Sequence, residues 1–210
     1  MPFESYDRRI KYYPLYMQRS LEDIPSFSLP GGFGFAFCSP DDRDAWIEIE
    51  MSAGECIDRE EGLKYWNMYF ESRKAELPGR MVFIENSGGE KVATATMLYD
   101  IQKGDNGEEA WLHWVAVKKD FQGKGLSKPL VSCVLNLMKA SGYSSVKLST
   151  HTWANLACRV YMDMGFRPCP ESLSECPEGW RIIKTLTGHP ALEATEAFEE
   201  GEIPLQDALC

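Results

Sequence analysis

The stretch Ala110-Trp111-Leu112-His113-Trp114-Val115-Ala116-Val117 decides the fold, together with the residues that follow it: Lys118-Lys119-Asp120-Phe121 and then Gln122-Gly123-Lys124-Gly125-Leu126-Ser127. The first eight residues are strongly apolar, which predicts a buried strand over 110–117. From Ser127 to about Ala140 the apolar residues recur at helical spacing, which predicts a helix. The glycine segment therefore joins a strand to a helix.

This junction has the features of an anion site. Glycines let a backbone turn sharply and approach a ligand closely. The first amides of a helix have no partner within the helix, and the helix dipole favours negative charge beside them. We expect a pyrophosphate on the N–H groups of Gly123 to Lys128, with Lys124 and Lys128 adding charge. A nucleotide ligand stays open here, although the segment matches neither GxxxxGK[ST] nor GxGxxG.

Two motifs resemble those of the GNAT superfamily of acyl-CoA-dependent N-acyltransferases. After Val115-Ala116-Val117, residues 122–127 match its Gln/Arg-x-x-Gly-x-Gly/Ala pattern at Gln122 and Gly125, with Ser127 in the last small position. Further along, a second pattern, Asn-x-x-Ala-x-x-x-Tyr-x-x-x-Gly-Phe, is matched at four positions, while Ala154 stands at the Asn position and Asn155 follows it. The four matches are Ala157, Tyr161, Gly165 and Phe166. The resemblance is strong over about residues 80–187.

The remaining pattern predicts one mixed α/β sheet. Glycine turns at 30–34 and 86–89 precede strands 35–37 and 91–99, and another turn is expected at 104–107. The other predicted strands are 80–85, 146–149 and one or two from Phe166 through Trp180-Arg181-Ile182-Ile183; the other predicted helices begin at Ser39-Pro40, cover Arg59 to about Glu76, and cover Trp153 to Met164.

The resemblance implies a specific version of this α/β fold. It is a single, mostly antiparallel mixed sheet with helices on both faces and a V-shaped splay between the two central strands. We expect one domain over residues 1–188, with acceptor-side helices in about 1–79 and a CoA-binding core in 80–187. An acidic tail would follow over 189–210.

The resemblance also implies a cofactor, acetyl-CoA, whose pantetheine pairs like a short strand with the backbone of Val115 and Val117. An amine would attack the thioester directly, with no covalent enzyme intermediate. The cofactor-binding residues expected on this basis are Val115, Ala116, Val117, Gln122, Gly123, Lys124, Gly125, Leu126, Ser127, Lys128, Asn155 and Tyr161.

Tyr161 and His113 are the expected catalytic residues. Tyr161 matches the family tyrosine that reaches the CoA sulfur and serves as the acid; the alternative is a core tyrosine that only packs. His113 lies on the strand four residues before Val117, and an imidazole suits a base at neutral pH. A core histidine is an equal alternative. Glu108 and Glu109 could serve instead, although turn acids are usually solvated.

Several other residues have two interpretations. Trp46, Trp66 and Tyr69 could wall an acceptor pocket, but aromatic residues at helical spacing are more often core. Lys118 and Lys119 could touch CoA phosphates or be plain surface residues. We interpret His151 as a loop histidine rather than part of a substrate mouth, and Cys158 as a buried thiol rather than a nucleophile.

Composition excludes several classes of protein. The 210 residues carry a net charge of −10, which disfavours nucleic acid and anionic membranes as partners and suits a cationic or amine substrate. No apolar run reaches the ~20 residues of a membrane span, and no signal-peptide pattern opens the chain, so we expect a cytoplasmic protein. Seven irregularly spaced cysteines indicate reduced thiols, and no zinc-ligand spacing occurs, so no metal is expected.

The sequence thus favours an acetyl-CoA-dependent N-acetyltransferase acting on a small-molecule or peptide amine. The alternatives are a CoA-binding regulatory or interaction module without turnover, and an acyltransferase with another acyl donor or a hydroxyl acceptor. The resemblance also leaves a homodimer open, since proteins of this superfamily are often dimers.

Overall fold

The computed structural model describes residues 6–99, 109–193 and 204–209. It is a mixed α/β fold with seven described strands and six described α-helices, connected in part by short 3-10 turns. In chain order these are β1 (Pro14–Ser20), β2 (Phe33–Phe37), α1 (Arg43–Ala53), α2 (Arg59–Tyr69), β3 (Met81–Asn86), β4 (Lys91–Leu98), β5 (Glu109–Val117), α3 (Ser127–Ala140), β6 (Ser145–His151), α4 (Asn155–Asp163), β7 (Arg167–Pro168), α5 (Pro170–Glu175) and α6 (Pro177–Thr187).

The chain divides into two compact units, the larger one covering residues 20–146. Its strands follow the order β2-β3-β4-β5, and every neighbouring pair is antiparallel. The hairpin predicted at 86–89 joins β3 to β4, and Gly89 there has a φ of +78°. The predicted helix from Ser127 to Ala140 is confirmed at both ends as α3.

A hydrophobic core fills the larger unit between α1, α2 and the strands. Its largest side chains come from the two helices and the residue that follows α2, and they pack at steep angles to one another, with ring centroids 5.2–5.6 Å apart. These fully buried rings are Trp46, Trp66 and Phe70. Gly62 lets the helices approach closely, because a Cβ there would stand 2.7 Å from the Ile47 side chain.

Both predicted helix boundaries in this region need correction. The first helix begins at Arg43 rather than at Ser39-Pro40, because the Asp42 carboxylate accepts the Ser39 N–H at 2.6 Å and holds residues 39–42 in a turn. The second ends at Tyr69, and a 3-10 helix over Glu71–Gly79 replaces its predicted continuation to Glu76.

The smaller unit comprises residues 6–19, 147–193 and 204–209 of the described chain. Its strands follow the order β6-β1-β7, and β1 pairs antiparallel with β7 through Met17 and Pro168. Strand β1 was missed in the sequence. The expected strand through Trp180-Arg181-Ile182-Ile183 is wrong: Pro177 opens α6, Gly188 closes it, and Gly179, Trp180, Ile182 and Ile183 share its buried face.

Three predictions fall wholly or partly outside the described residues. The turn expected at 104–107 and the candidate Glu108 both lie outside them. Of the acidic tail, the structure describes residues 189–193, with a 3-10 turn over Pro190–Leu192, and residues 204–209, with another over Leu205–Ala208.

Candidate functional site

Strand β5 carries a β-bulge just before its end. Thr96 pairs with His113 and Thr94 with Ala116, so three steps along β5 face two along β4. Trp114 lies at the bulge and has a φ of +52°, in the left-handed region that residues other than glycine rarely adopt. The bulge alters which faces Val115 and the residues after it present.

The turn after β5 depends on its two glycines. Gly123 and Gly125 have φ values of +74° and +78°, a conformation that costs other residues strain. A Cβ on Gly123 would meet no atom within 4 Å, so the turn is open around it. The Gln122 side chain folds back and donates to the Val117 carbonyl at 2.9 Å, which fixes the turn to the strand end.

Helix α3 presents its N-terminal amides at the end of this turn. Its N-cap residue is Leu126, whose buried apolar side chain cannot accept a hydrogen bond from them. Pro129 has no N–H, so the amides that this helix end presents are those of Ser127 and Lys128 and of the turn before them. No acid stands in the first turn of the helix. The arrangement is that of an anion site.

The lysines divide into two groups. Lys124 and Lys128 hold their ammonium groups over aromatic rings, 4.7 Å from Phe121 and 5.5 Å from Phe27. Lys118 instead forms an ion pair within the larger unit, with its Nζ 2.9 Å from a carboxylate oxygen of Glu90. This pairing favours a surface role for Lys118 over that of a phosphate ligand. Lys119 is exposed at the surface.

His113 lies in a group of rings beside the bulge. Its centroid is 6.0 Å from Trp111 and 6.0 Å from Tyr69, and all three side chains are half-buried. Trp114 packs on Tyr69 at 5.4 Å and on Tyr65 at 5.2 Å. Tyr69 therefore belongs to the surroundings of the strand end, whereas Trp46 and Trp66 are core residues, as their helical spacing indicated.

Sequence reasoning missed two groups on the helices. Tyr65 lies one turn before Tyr69 on α2, and its hydroxyl donates to Glu61 at 3.2 Å; burial raises its pKa. The i, i+4 spacing of Glu61, Tyr65 and Tyr69 was the available signal. On α1, burial raises the pKa of the Glu50 carboxyl, whose oxygens have no hydrogen-bond partner among the described residues. No sequence signal marked Glu50.

The smaller unit holds the remaining predicted residues. Tyr161 is buried on α4, with its ring 5.9 Å from that of Phe166. Asn155 is the first residue of α4, and its amide nitrogen lies 3.5 Å from the Trp153 carbonyl oxygen. Burial raises the pKa of the Cys158 thiol to about 12, which leaves it protonated at neutral pH.

His151 lies in an aromatic group of its own, so it is not the loop histidine that the sequence suggested. It is the last residue of β6, with ring centroids of Tyr6, Tyr12 and Trp153 5.1–5.8 Å away. Burial, and to a lesser degree the charge of Arg8, lowers its pKa to about 4.

The larger unit thus brings together His113, the bulged strand end 115–117 and the turn 122–128, while the smaller unit holds Asn155 and Tyr161. Among the described residues, no three or more His, Cys, Asp or Glu side chains are arranged to hold a metal ion. Within the same ranges, no helix is long and apolar enough to cross a membrane.

Comparison with known proteins identifies the class to which this strand, turn and helix belong. The sequence pattern of the acetyltransferase (GNAT) family matches residues 43–166, and the chain belongs to that family. The matched range includes the bulge, the glycine turn and α4.

Two relatives and one solved structure extend this result. The chain is 30% identical to N-acetyltransferase 8B of Rattus norvegicus over 105 residues, which cover 50% of the chain and 46% of the relative. It is 29% identical to N-acetyltransferase 8 of the same species over 97 residues, 46% of the chain and 44% of the relative. The chain therefore spans about half the length of the curated relatives it matches. A GCN5-related N-acetyltransferase from Sphaerobacter thermophilus shares the fold, with a TM-score of 0.62, 20% identity, and coverage of 77% of this chain and 50% of that one.

Proposed function

We propose that this chain is an acetyl-CoA-dependent N-acetyltransferase that passes an acetyl group directly to the amine of a small molecule or peptide. The observation that carries the proposal is the bulged end of β5, which leads through two left-handed glycines to the uncapped N-terminus of α3. These elements lie within residues 43–166, the range that matches the family to which the chain belongs.

The residues of the turn fit a pyrophosphate. Space is open around Gly123, and the amides of residues 123–128 offer donors beside a positive helix end. Acetyl-CoA, when bound, supplies a thioester that reacts with an amine. The bulge interrupts the pairing with β4 at Trp114 and Val115, while Val117 pairs with Ala93 at the strand end. We propose that the backbone of Val115 and Val117 binds the pantetheine.

Two side chains are proposed to move protons. His113 accepts a proton from the incoming ammonium, since only a neutral amine attacks a carbonyl; its half-buried ring lies on the bulged strand two residues before Val115. Tyr161 donates its phenolic proton as the thiolate departs. Support for Tyr161 comes from its place in the second motif, Ala157 to Phe166, rather than from any measured distance to a ligand.

A panel of amines incubated with acetyl-CoA, followed by release of free thiol, tests the proposal. We expect turnover with at least one amine and a loss of about 100-fold or more in kcat for Tyr161→Phe, with the affinity for CoA unchanged. A chain that binds CoA without releasing thiol for any amine would be a binding module. Normal turnover by Tyr161→Phe would remove the tyrosine from the mechanism while leaving the transferase activity in place.

A further inference from the structure

A segment of the larger unit, residues 22–30, runs antiparallel along α3 and ends beside the glycine turn. Four contacts fix its course, and the α3 residue number falls as the segment number rises. They are Lys139 Nζ donating to the Glu22 carbonyl at 2.7 Å, Ser132 Oγ donating to the Pro25 carbonyl at 2.7 Å, Lys128 Nζ lying 5.5 Å from the Phe27 ring, and Pro30 Cγ lying 3.9 Å from the position of a Cβ on Gly125.

This course delivers an aromatic ring to the N-terminal turn of α3. Pro25 is held by the buried hydroxyl of Ser132, so the next residues must continue toward Lys128. Phe27 is nevertheless 38% exposed, and Ser26 and Ser28 on either side of it are exposed as well. The chain is thus anchored here by its backbone, and the ring of Phe27 remains open to a ligand.

The two segments that meet at Phe27 and Lys128 carry no acid, although the chain as a whole is acidic. The chain has a net charge of −10, yet residues 24–40 carry no charged side chain and residues 121–146 carry no acid. Within that second range, Lys124 and Lys128 stand at the turn and the start of α3. These two segments therefore contribute positive charge and no acid of their own beside Phe27.

An exposed ring beside a lysine suits a purine that carries a phosphate. Bases stack on aromatic side chains whatever their hydrogen-bonding edge, and the ammonium pairs with the phosphate. Phe27 is a better platform than Phe121, because Phe121 is half-buried with Phe33 at its edge, 6.2 Å away.

We propose that Phe27 and Lys128 form a subsite for the 3′-phosphoadenosine end of coenzyme A. Phe27 stacks on the adenine and Lys128 pairs with the 3′-phosphate. The inference rests on the proposed function, in which the pyrophosphate occupies the amides of residues 123–128. The adenosine is joined directly to that pyrophosphate, and Lys128 belongs both to the turn of amides and to the contact with Phe27.

The test compares the dissociation constants of acetyl-CoA and acetyl-dephospho-CoA, which lacks only the 3′-phosphate, by titration calorimetry. The proteins are the full chain, Lys128→Gln, Phe27→Leu, Phe27→Ala, and Lys74→Gln as a control that removes one positive charge from the exposed side chain of Lys74. Thermal unfolding of each variant confirms that it is folded. Phe27→Leu keeps an apolar side chain at the position and removes only the ring.

We expect the unmodified chain and Lys74→Gln to bind acetyl-CoA about fivefold more tightly than acetyl-dephospho-CoA, and Lys128→Gln to bind the two equally. Phe27→Leu and Phe27→Ala should each weaken both ligands by about tenfold and keep the fivefold preference. If acetyl-CoA binds but the preference survives in Lys128→Gln, or Phe27→Leu binds like the unmodified chain, the subsite is wrong and the proposed function stands. If acetyl-CoA does not bind the unmodified chain at all, the proposed function itself fails.

Discussion

Two strand-to-helix junctions of this protein are built in opposite ways. Between β5 and α3, residues 118–126 form an open turn in which Gly123 and Gly125 adopt left-handed backbone and Gly123 is surrounded by free space. Between β6 and α4, residues 152–154 form a short 3-10 turn that contains no glycine. There, Thr152 is fully buried and Trp153 donates its indole N–H to the Ile10 carbonyl at 2.6 Å.

The difference shows what each junction does with its polar groups. At the junction between β6 and α4, which we call the closed junction, the polar groups bind the N-terminal segment. Thr152 accepts the Tyr13 N–H at 3.0 Å and donates to the Lys11 carbonyl, and the Asp7 N–H donates to the Trp153 carbonyl at 3.0 Å. At the junction between β5 and α3, which we call the open junction, the amides of the turn before the helix are left for a ligand. A strand followed by a helix is therefore insufficient to make a binding site. Both helices have an apolar N-cap residue, Leu126 and Ala154, so the left-handed glycines are what distinguish the site proposed here.

The largest expected effect is on the closed junction. Thr152→Val removes a buried hydroxyl and leaves the Tyr13 N–H and the Lys11 carbonyl without their partner. We expect the free energy of unfolding to fall by about 3 kcal/mol. Thr152→Ser, which keeps the hydroxyl, should cost less than about 1 kcal/mol. Urea denaturation of both variants checks this, and equal losses would mean that the hydroxyl contributes no more than the methyl group at this position.

A pH effect should also come from the closed junction. The pKa of His151 in the folded chain is lowered to about 4 from its ordinary 6.5, because the ring is buried among three aromatic side chains. The unfolded chain therefore binds a proton at a higher pH than the folded one. The stability from the neutral ring is complete above about pH 6.5 and is lost as the pH falls toward 4.

Partial exposure reduces this effect to about 2 kcal/mol. Other groups titrate in the same range, so the measurement is the difference in unfolding free energy between the unmodified chain and His151→Phe, which keeps a ring and cannot titrate. We expect that difference to shift in favour of the variant by about 2 kcal/mol between pH 7 and pH 4. A difference independent of pH would show that His151 is protonated equally in both states.

The open junction was predictable from sequence because its signals are local. Glycines at 123 and 125 and the apolar spacing after Ser127 determine the turn and both ends of α3 within a few residues. The closed junction depends on contacts with residues 7–13, about 140 positions away in the chain. The spacing of apolar residues along the sequence does not indicate such distant partners. For the same reason β1 was missed in the sequence.

Where local signals conflicted, the sequence misled. Ile182-Ile183 beside Trp180 favours a strand by composition, yet Pro177 and Gly188 bound a helix whose buried face contains all three side chains. For the candidate site, the motifs predicted the glycine turn, which the structure contains, and Tyr161, whose role stays a prediction. They could not place Phe27, which reaches Lys128 only because Ser132 holds the backbone of Pro25.

The smallest expected effect on stability is at the glycines, and it separates folding from binding. Gly123→Ala and Gly142→Ala each place a methyl group at a φ of +74° or +95° where no atom lies within 4 Å. Both should therefore cost about 1 kcal/mol of unfolding free energy. Only Gly123→Ala should raise the KM for acetyl-CoA, because Gly142 lies at the far end of α3. Equal KM values for the two variants would argue against a ligand on the turn.

The most direct measurement is a titration of the ¹⁵N-labelled chain with acetyl-CoA, followed through the amide resonances of Gly123, Gly125, Ser127 and Lys128. We expect these four amide signals to shift in step with one another and to saturate. The amide signals of Thr152 and Trp153, at the closed junction, should not show the shift of an amide that donates directly to a phosphate. If acetyl-CoA binds and the four amides of the open turn keep their positions, the cofactor is held elsewhere, and the role assigned to this junction is wrong.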